Sequence, residues 1–121
     1  MLQGMVLLVE DHAVVQVDFE EMFLQYGARQ VQVAPTVSEA LRMLDSEKFE
    51  LLVSEWKLDG DPCLPIFEKA QDRKVGSILA TRFDVDRAHY PQLENFVMLR
   101  KPFGPEDVAK ALKSALLRPA V

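Results

Sequence analysis

Along the chain, short apolar runs that end in polar residues alternate with stretches in which apolar positions return every three or four residues. Residues 5–9 (Met-Val-Leu-Leu-Val) form one such run, closed by Glu10, Asp11 and His12. Residues 50–61 repeat the design, with Leu51, Leu52 and Val53 leading to Glu55 and then to a turn-rich loop. Apolar runs of this length bounded by turn signals predict buried strands. Two more follow, 75–80 ending at Thr81 and 96–99 ending at Arg100, Lys101 and Pro102, and 30–33 alternates as a short strand.

Helical spacing fills the gaps. Val14, Val17, Phe19, Met22 and Phe23 predict a first helix over 13–26, with Gly27 as its stop. Thr36-Val37-Ser38-Glu39 has the form of a capping box, in which two backbone donors are satisfied reciprocally. It opens a second helix through Ala40, Leu41, Met43 and Leu44. Pro62, Cys63 and Pro65 lead into a short third helix carrying Leu64, Ile66, Phe67 and Ala70. A fourth is expected over 84–94, short or irregular because Pro91 removes a donor. Gly104-Pro105-Glu106-Asp107 starts the fifth, with Val108, Ala111, Leu112, Ala115 and Leu116 on one face.

Five strand–helix units imply a parallel sheet with helices on both faces, because right-handed crossovers place them there. The expected class is α/β, a doubly wound (βα)5 three-layer sandwich in one domain spanning 1–121. In such a sheet the site lies beyond the carboxyl ends of the strands. That rim would gather Glu10, Asp11, Glu55, Thr81 and Lys101.

Composition removes several function classes. With 14 Lys and Arg against 19 Asp and Glu the formal charge is −5, so affinity for nucleic acid is not expected. Cys63 is the single cysteine, which forbids an internal disulfide and fits a reducing compartment. No apolar stretch approaches the ~18 residues of a membrane span, and the first residues do not read as a basic region followed by a signal-type apolar core. The expectation is a cytoplasmic protein with no membrane partner. Residues 118–121 read as a frayed tail.

The marks at the rim resemble the receiver domains of two-component response regulators over nearly the whole chain. They are Val6-Leu7-Leu8-Val9-Glu10-Asp11, Leu51 to Glu55, Ile78-Leu79-Ala80-Thr81 and Lys101-Pro102-Phe103, in the family's order and near its spacing. The resemblance implies a flavodoxin-like sheet in the order 2-1-3-4-5. It implies a divalent metal, usually magnesium, held by the acidic pair Glu10 and Asp11, by the acceptor position Glu55 and by the backbone carbonyl of Lys57. It also implies phosphoryl transfer from a phosphohistidine partner, with Lys101 stabilising charge, Thr81 as the switch hydroxyl and a proline after Lys101 that is usually cis.

The chain departs from that pattern in three places. The acceptor position holds Glu55, where the family has Asp. One extra methylene moves the carboxylate outward by roughly 1.3 Å, and a misplacement of ~1 Å can cost ~10²-fold in an in-line reaction. Met98 stands where the family has the moving aromatic of the switch. The segment between Thr81 and Lys101 is short and broken by Pro91, so the face of the fourth helix, fifth strand and fifth helix, where the family meets partners or forms homodimers, should be remodelled. The Lys57 ammonium is expected either to fold back toward Glu10, Asp11 and Glu55 or to point to solvent; with Lys101 it would leave weak or absent magnesium binding.

The resulting expectation is an atypical receiver, not an enzyme: a phosphorylation-independent module that meets a histidine kinase or downstream effector domain, with Glu55 in the acceptor's place. The alternative is a working magnesium-dependent phosphoacceptor using Glu55 or the loop acid Asp59. A flavodoxin-like small-molecule binder is weaker, since no Gly-rich phosphate loop follows the first strand. His12 and His89 read as exposed, Cys63 as a small buried group, and Trp56 either as a shield or partner contact at the rim or as packing against the first helix.

Overall fold

The computed structural model describes residues 1–58, 60–82, 85 and 88–117, with residues 94 and 95 given by backbone alone. The elements in order are β1 (Met5–Val9), α1 (Ala13–Gln25), β2 (Gln30–Ala34), α2 (Val37–Ser46), β3 (Leu51–Ser54), β4 (Lys57–Leu58) and β5 (Asp61–Pro62). They continue with α3 (Leu64–Asp72), β6 (Gly76–Thr81), a 3-10 turn at Pro91–Asn95, β7 (Val97–Arg100) and α4 (Pro105–Leu117).

Five strands form one parallel sheet in the order β2-β1-β3-β6-β7. Successive residues of a strand face opposite sides, so a strand buried on both faces must be apolar throughout. Leu7, Val9, Leu52 and Leu79 meet Ala40, Met43 and Leu44 of α2 and Ile66, Phe67 and Ala70 of α3 on one side. Val6, Leu8, Leu51, Val53, Ile78 and Ala80 meet Phe19 and Phe23 of α1 and Val108, Ala111 and Leu112 of α4 on the other. Helix, sheet and helix thus form three layers.

Two details of the expected topology need correction. A two-residue antiparallel pair, β4-β5, is inserted after β3, so the strand order 2-1-3-4-5 becomes β2-β1-β3-β6-β7. The five strand–helix units are incomplete among the described residues. The 84–94 segment holds the 3-10 turn at Pro91–Asn95 in its described part, and residues 84, 86 and 87 lie outside the description. Pro91 at the first position of that turn needs no backbone donor there, which is why the ring is tolerated.

Helix α1 also differs from its expected packing. Phe19 and Phe23 are fully buried, but Val14 and Val17 point outward at 63% and 53% exposure, with Leu24 at 47%. At roughly 100° per residue Val14 and Val17 fall on the side opposite Phe19 and Phe23. The helix is apolar on two faces, and periodicity alone does not choose between them. The capping box is half formed: Glu39 N–H donates to Thr36 Oγ1 at 3.1 Å, while the Glu39 carboxylate pairs with Arg42 at 2.7 Å.

Glycine is required at two close approaches. Gly27, at φ +103°, ends α1 in the left-handed region, and a Cβ there would lie 2.5 Å from the Leu2 carbonyl oxygen. A Cβ on Gly76 would lie 2.9 Å from the Ala115 carbonyl oxygen, so its absence lets α4 settle against the start of β6. Residues 118–121, expected as a tail, lie outside the described residues.

Candidate functional site

The sheet's register builds the site. Strands β1 and β3 pair with Val9 opposite Ser54, and the Glu55 N–H donates to the Val9 carbonyl at 3.0 Å. The two carboxylates that follow, Glu10 and Glu55, therefore leave the sheet side by side. On the neighbouring strands Thr81 pairs with Arg100, and the Lys101 N–H donates to the Thr81 carbonyl at 2.9 Å. That rung delivers Lys101 to the same rim, with a cis peptide bond to Pro102 as the resemblance implied.

Lys101 lies between the two acids. Its Nζ donates to Glu10 Oε2 at 2.6 Å and to Glu55 Oε2 at 2.8 Å. The remaining oxygens are also engaged: Glu10 Oε1 accepts from His12 N–H at 3.2 Å, and Glu55 Oε1 accepts from Trp56 N–H at 2.7 Å. Backbone around them is tied as well, by Gln16 Nε2 to the Glu10 carbonyl at 2.6 Å and by Ser54 Oγ to the Glu55 carbonyl at 2.8 Å. The side chains are mostly out of water, at 3% exposure for Glu10, 9% for Glu55 and 14% for Lys101. Burial alone pulls the Lys101 ammonium down. The hydrogen bonds and charges of Glu10 and Glu55 together outweigh it, and the group titrates above its ordinary value.

The other expected residues divide. Thr81 is buried at the end of β6, beside the rung that carries Lys101. Asp11 is exposed, lining the rim of a cleft of about 490 Å³ with Glu10, Glu55, Lys57, Arg82 and Lys101. Lys57 is exposed, and its ammonium forms no ion pair with Glu10, Asp11 or Glu55 among the described residues. Of the two expected dispositions of its side chain, the one paired with the acids is not adopted: Lys57 opens the inserted β4-β5 pair and lines the cleft without bonding to them. Asp59 lies outside the described residues.

Met98 is half-buried on β7 and packs against the core under α2 and α3. Trp56 is buried in that same core, edge-on to Tyr90 at 5.0 Å, and does not pack against α1. His12 and His89 are exposed, and Cys63 is buried with its thiol pushed up to about 11, chiefly by burial and further by the charges of Glu55 and Asp11. Sequence reasoning missed Gln16, Ser54 and Tyr90. Gln16 and Ser54 are adjacent in sequence to the acids' elements and carry donors, which is a weak signal; nothing in the sequence pairs Tyr90 with Trp56.

As arranged, a divalent cation at these acids would share their oxygens with Lys101 and the backbone donors. Such an ion takes six or more oxygen ligands, yet every carboxylate oxygen of Glu10 and Glu55 already accepts from a protein donor. No three His, Cys, Asp or Glu side chains converge in a metal-holding arrangement among the described residues.

No protein-family model and no curated protein matches the chain. Solved structures do. A response regulator receiver protein from Sinorhizobium medicae WSM419 superposes with a TM-score of 0.83 at 18% identity, covering 94% of each chain. A CheY-like response regulator receiver domain protein from Methanospirillum hungatei JF-1 gives 0.78 at 23% identity, over 96% of this chain and 94% of that one. The chemotaxis response regulator CheY4 of Vibrio cholerae gives 0.79 at 19% identity, over 94% and 99%. At this level of identity the likeness is one of architecture: the chain has the fold of response regulator receiver domains.

Proposed function

We propose that the chain is an atypical receiver domain of two-component signalling, a protein-interaction module rather than an enzyme, in which Glu55 occupies the acceptor's place and the module works without phosphorylation. One observation carries this reading: both Glu55 oxygens are held, one by Lys101 and one by the Trp56 N–H. A carboxylate attacking phosphorus needs an oxygen aligned with the donor. Here neither is free to align without breaking a buried bond. Met98 in place of a switching ring supports the same reading, since no aromatic on β7 is present to follow a phosphoryl group inward.

Protein partners remain the output: a histidine kinase or an effector domain. Two surfaces support such contacts. The homodimer face expected on the fourth helix, fifth strand and fifth helix reduces in the described residues to β7, α4 and the 3-10 turn. The outer face of α1 presents Val14, Val17 and Leu24 to solvent. The second reading, a working phosphoacceptor, is favoured by Thr81 and Lys101 standing at the rim as a transfer site would place them. Intact mass after incubation with acetyl phosphate and magnesium separates the two. The native chain should gain no phosphoryl group and Glu55→Asp should gain one. A phosphoryl gain on the native chain would overturn the first reading.

A further inference from the structure

We infer that Lys101 is a built-in cation: it fills the place between Glu10 and Glu55 where a divalent ion would sit, and the length of Glu55 is what holds it there. This rests on reading Glu55 as the acceptor-position residue. Two carboxylates buried side by side repel and must be neutralised by something. The Lys101 ammonium offsets one of the two negative charges and bonds to both acids, at 2.6 and 2.8 Å, and it is tethered to the sheet through its own backbone rung to Thr81. A dissolved cation competes with a group that is already in place and never diffuses away.

Glutamate makes this closure possible. Its extra methylene lets one oxygen reach Lys101 while the other folds back to the Trp56 N–H 2.7 Å away. An aspartate carboxylate would be withdrawn by roughly 1.3 Å, one bond projected along the side chain, and would satisfy one partner at the expense of the other. The released oxygen, the second Lys101 proton and the nearby exposed Asp11 would then leave a gap with oxygen donors around it. The closed state belongs to the native side-chain length.

The test uses Mn²⁺, a paramagnetic stand-in for magnesium, and the emission of Trp56, the only tryptophan, which follows Glu55 in the chain and whose backbone N–H donates to the Glu55 carboxylate. At matched ionic strength, the native chain should show no saturable quenching up to ~10 mM, weaker than the sites built for such ions. Glu55→Asp and Lys101→Ala should both quench saturably, with apparent Kd values at least about tenfold below that limit, the second because it removes the ammonium that bonds both buried carboxylates. Saturation of the native chain in the same range as the variants overturns the inference. So does a folded Lys101→Ala that stays blind while Glu55→Asp responds, since the lysine is then not what keeps the ion out. Should Lys101→Ala not fold by circular dichroism, Lys101→Gln takes its place under the same criterion. Manganese binding by a native chain that still gains no phosphoryl mass sinks this inference alone; phosphoryl gain on the native chain sinks the functional reading.

Discussion

Replacing Lys101 by Met keeps the volume and removes the charge, leaving Glu10 and Glu55 facing each other at 3% and 9% exposure. At 2.6 and 2.8 Å each ion pair attracts by roughly 6 kcal/mol at an effective dielectric of ~20, and desolvation of the three groups offsets much of that sum. Deleting one partner leaves the desolvation cost without the attraction, which destabilises by about 3–5 kcal/mol. For a chain of this size that lowers Tm by roughly 10–20 °C. Urea denaturation near neutral pH measures it. Adding Glu55→Gln to Lys101→Met should recover most of the loss, because one buried charge is then gone. The pH dependence has a fixed sign. Lys101 titrates above its ordinary value of 10.5 in the folded chain, so its contribution is fully present below 10.5 and is lost as pH rises through the raised value. A Lys101→Met variant that loses less than about 1 kcal/mol would refute the argument, placing the pairs among solvent-screened bridges.

Gly76→Ala should destabilise by about 1–3 kcal/mol in the same assay, since its Cβ would meet the Ala115 carbonyl at 2.9 Å and α4 must shift; an unchanged midpoint would mean the helix yields freely. Val14→Ser, Val17→Ser and Leu24→Ser should each stay within about 0.5 kcal/mol of the native chain, because those side chains already face water; a loss above 2 kcal/mol would show them covered. Cys63, with its thiol near 11, should leave roughly one molecule in a thousand as thiolate at about pH 8 and react with Ellman's reagent only on unfolding. Rapid labelling of the folded chain would contradict its burial.

How much was visible in the sequence depends on which force sets each feature. The strands were legible because a sheet covered on both faces needs unbroken apolar runs, and Leu7-Leu8-Val9 and Leu51-Leu52-Val53 are such runs. The meeting of Glu10, Glu55 and Lys101 followed from their places at strand ends. Their bonding did not, since which lysine pairs with the acids is a matter of side-chain placement at the rim, which leaves no periodic trace; the β4-β5 pair, two residues per strand, was equally hidden. The inward face of α1 was ambiguous for a different reason: its apolar residues lie on both sides, and only docking selects Phe19 and Phe23. The 3-10 turn at Pro91–Asn95, in place of a longer helix among the described residues there, was signalled by Pro91, while the pairing of Tyr90 with Trp56 is a long-range contact with no local cause.

The backbone rungs at the rim carry a consequence for motion. The N–H groups of Glu55 and Lys101 are the last bonds of the β1-β3 and β6-β7 ladders, so the two key side chains hang from the sheet's hem and not from loops. Loosening them requires unzipping the sheet from its end, a step that shares the free energy of the core strands. Amide exchange at Glu55 and Lys101 should therefore be nearly as slow as at Leu52 and Leu79. The backbone that carries the pocket's side chains thus belongs to the sheet's own ladder.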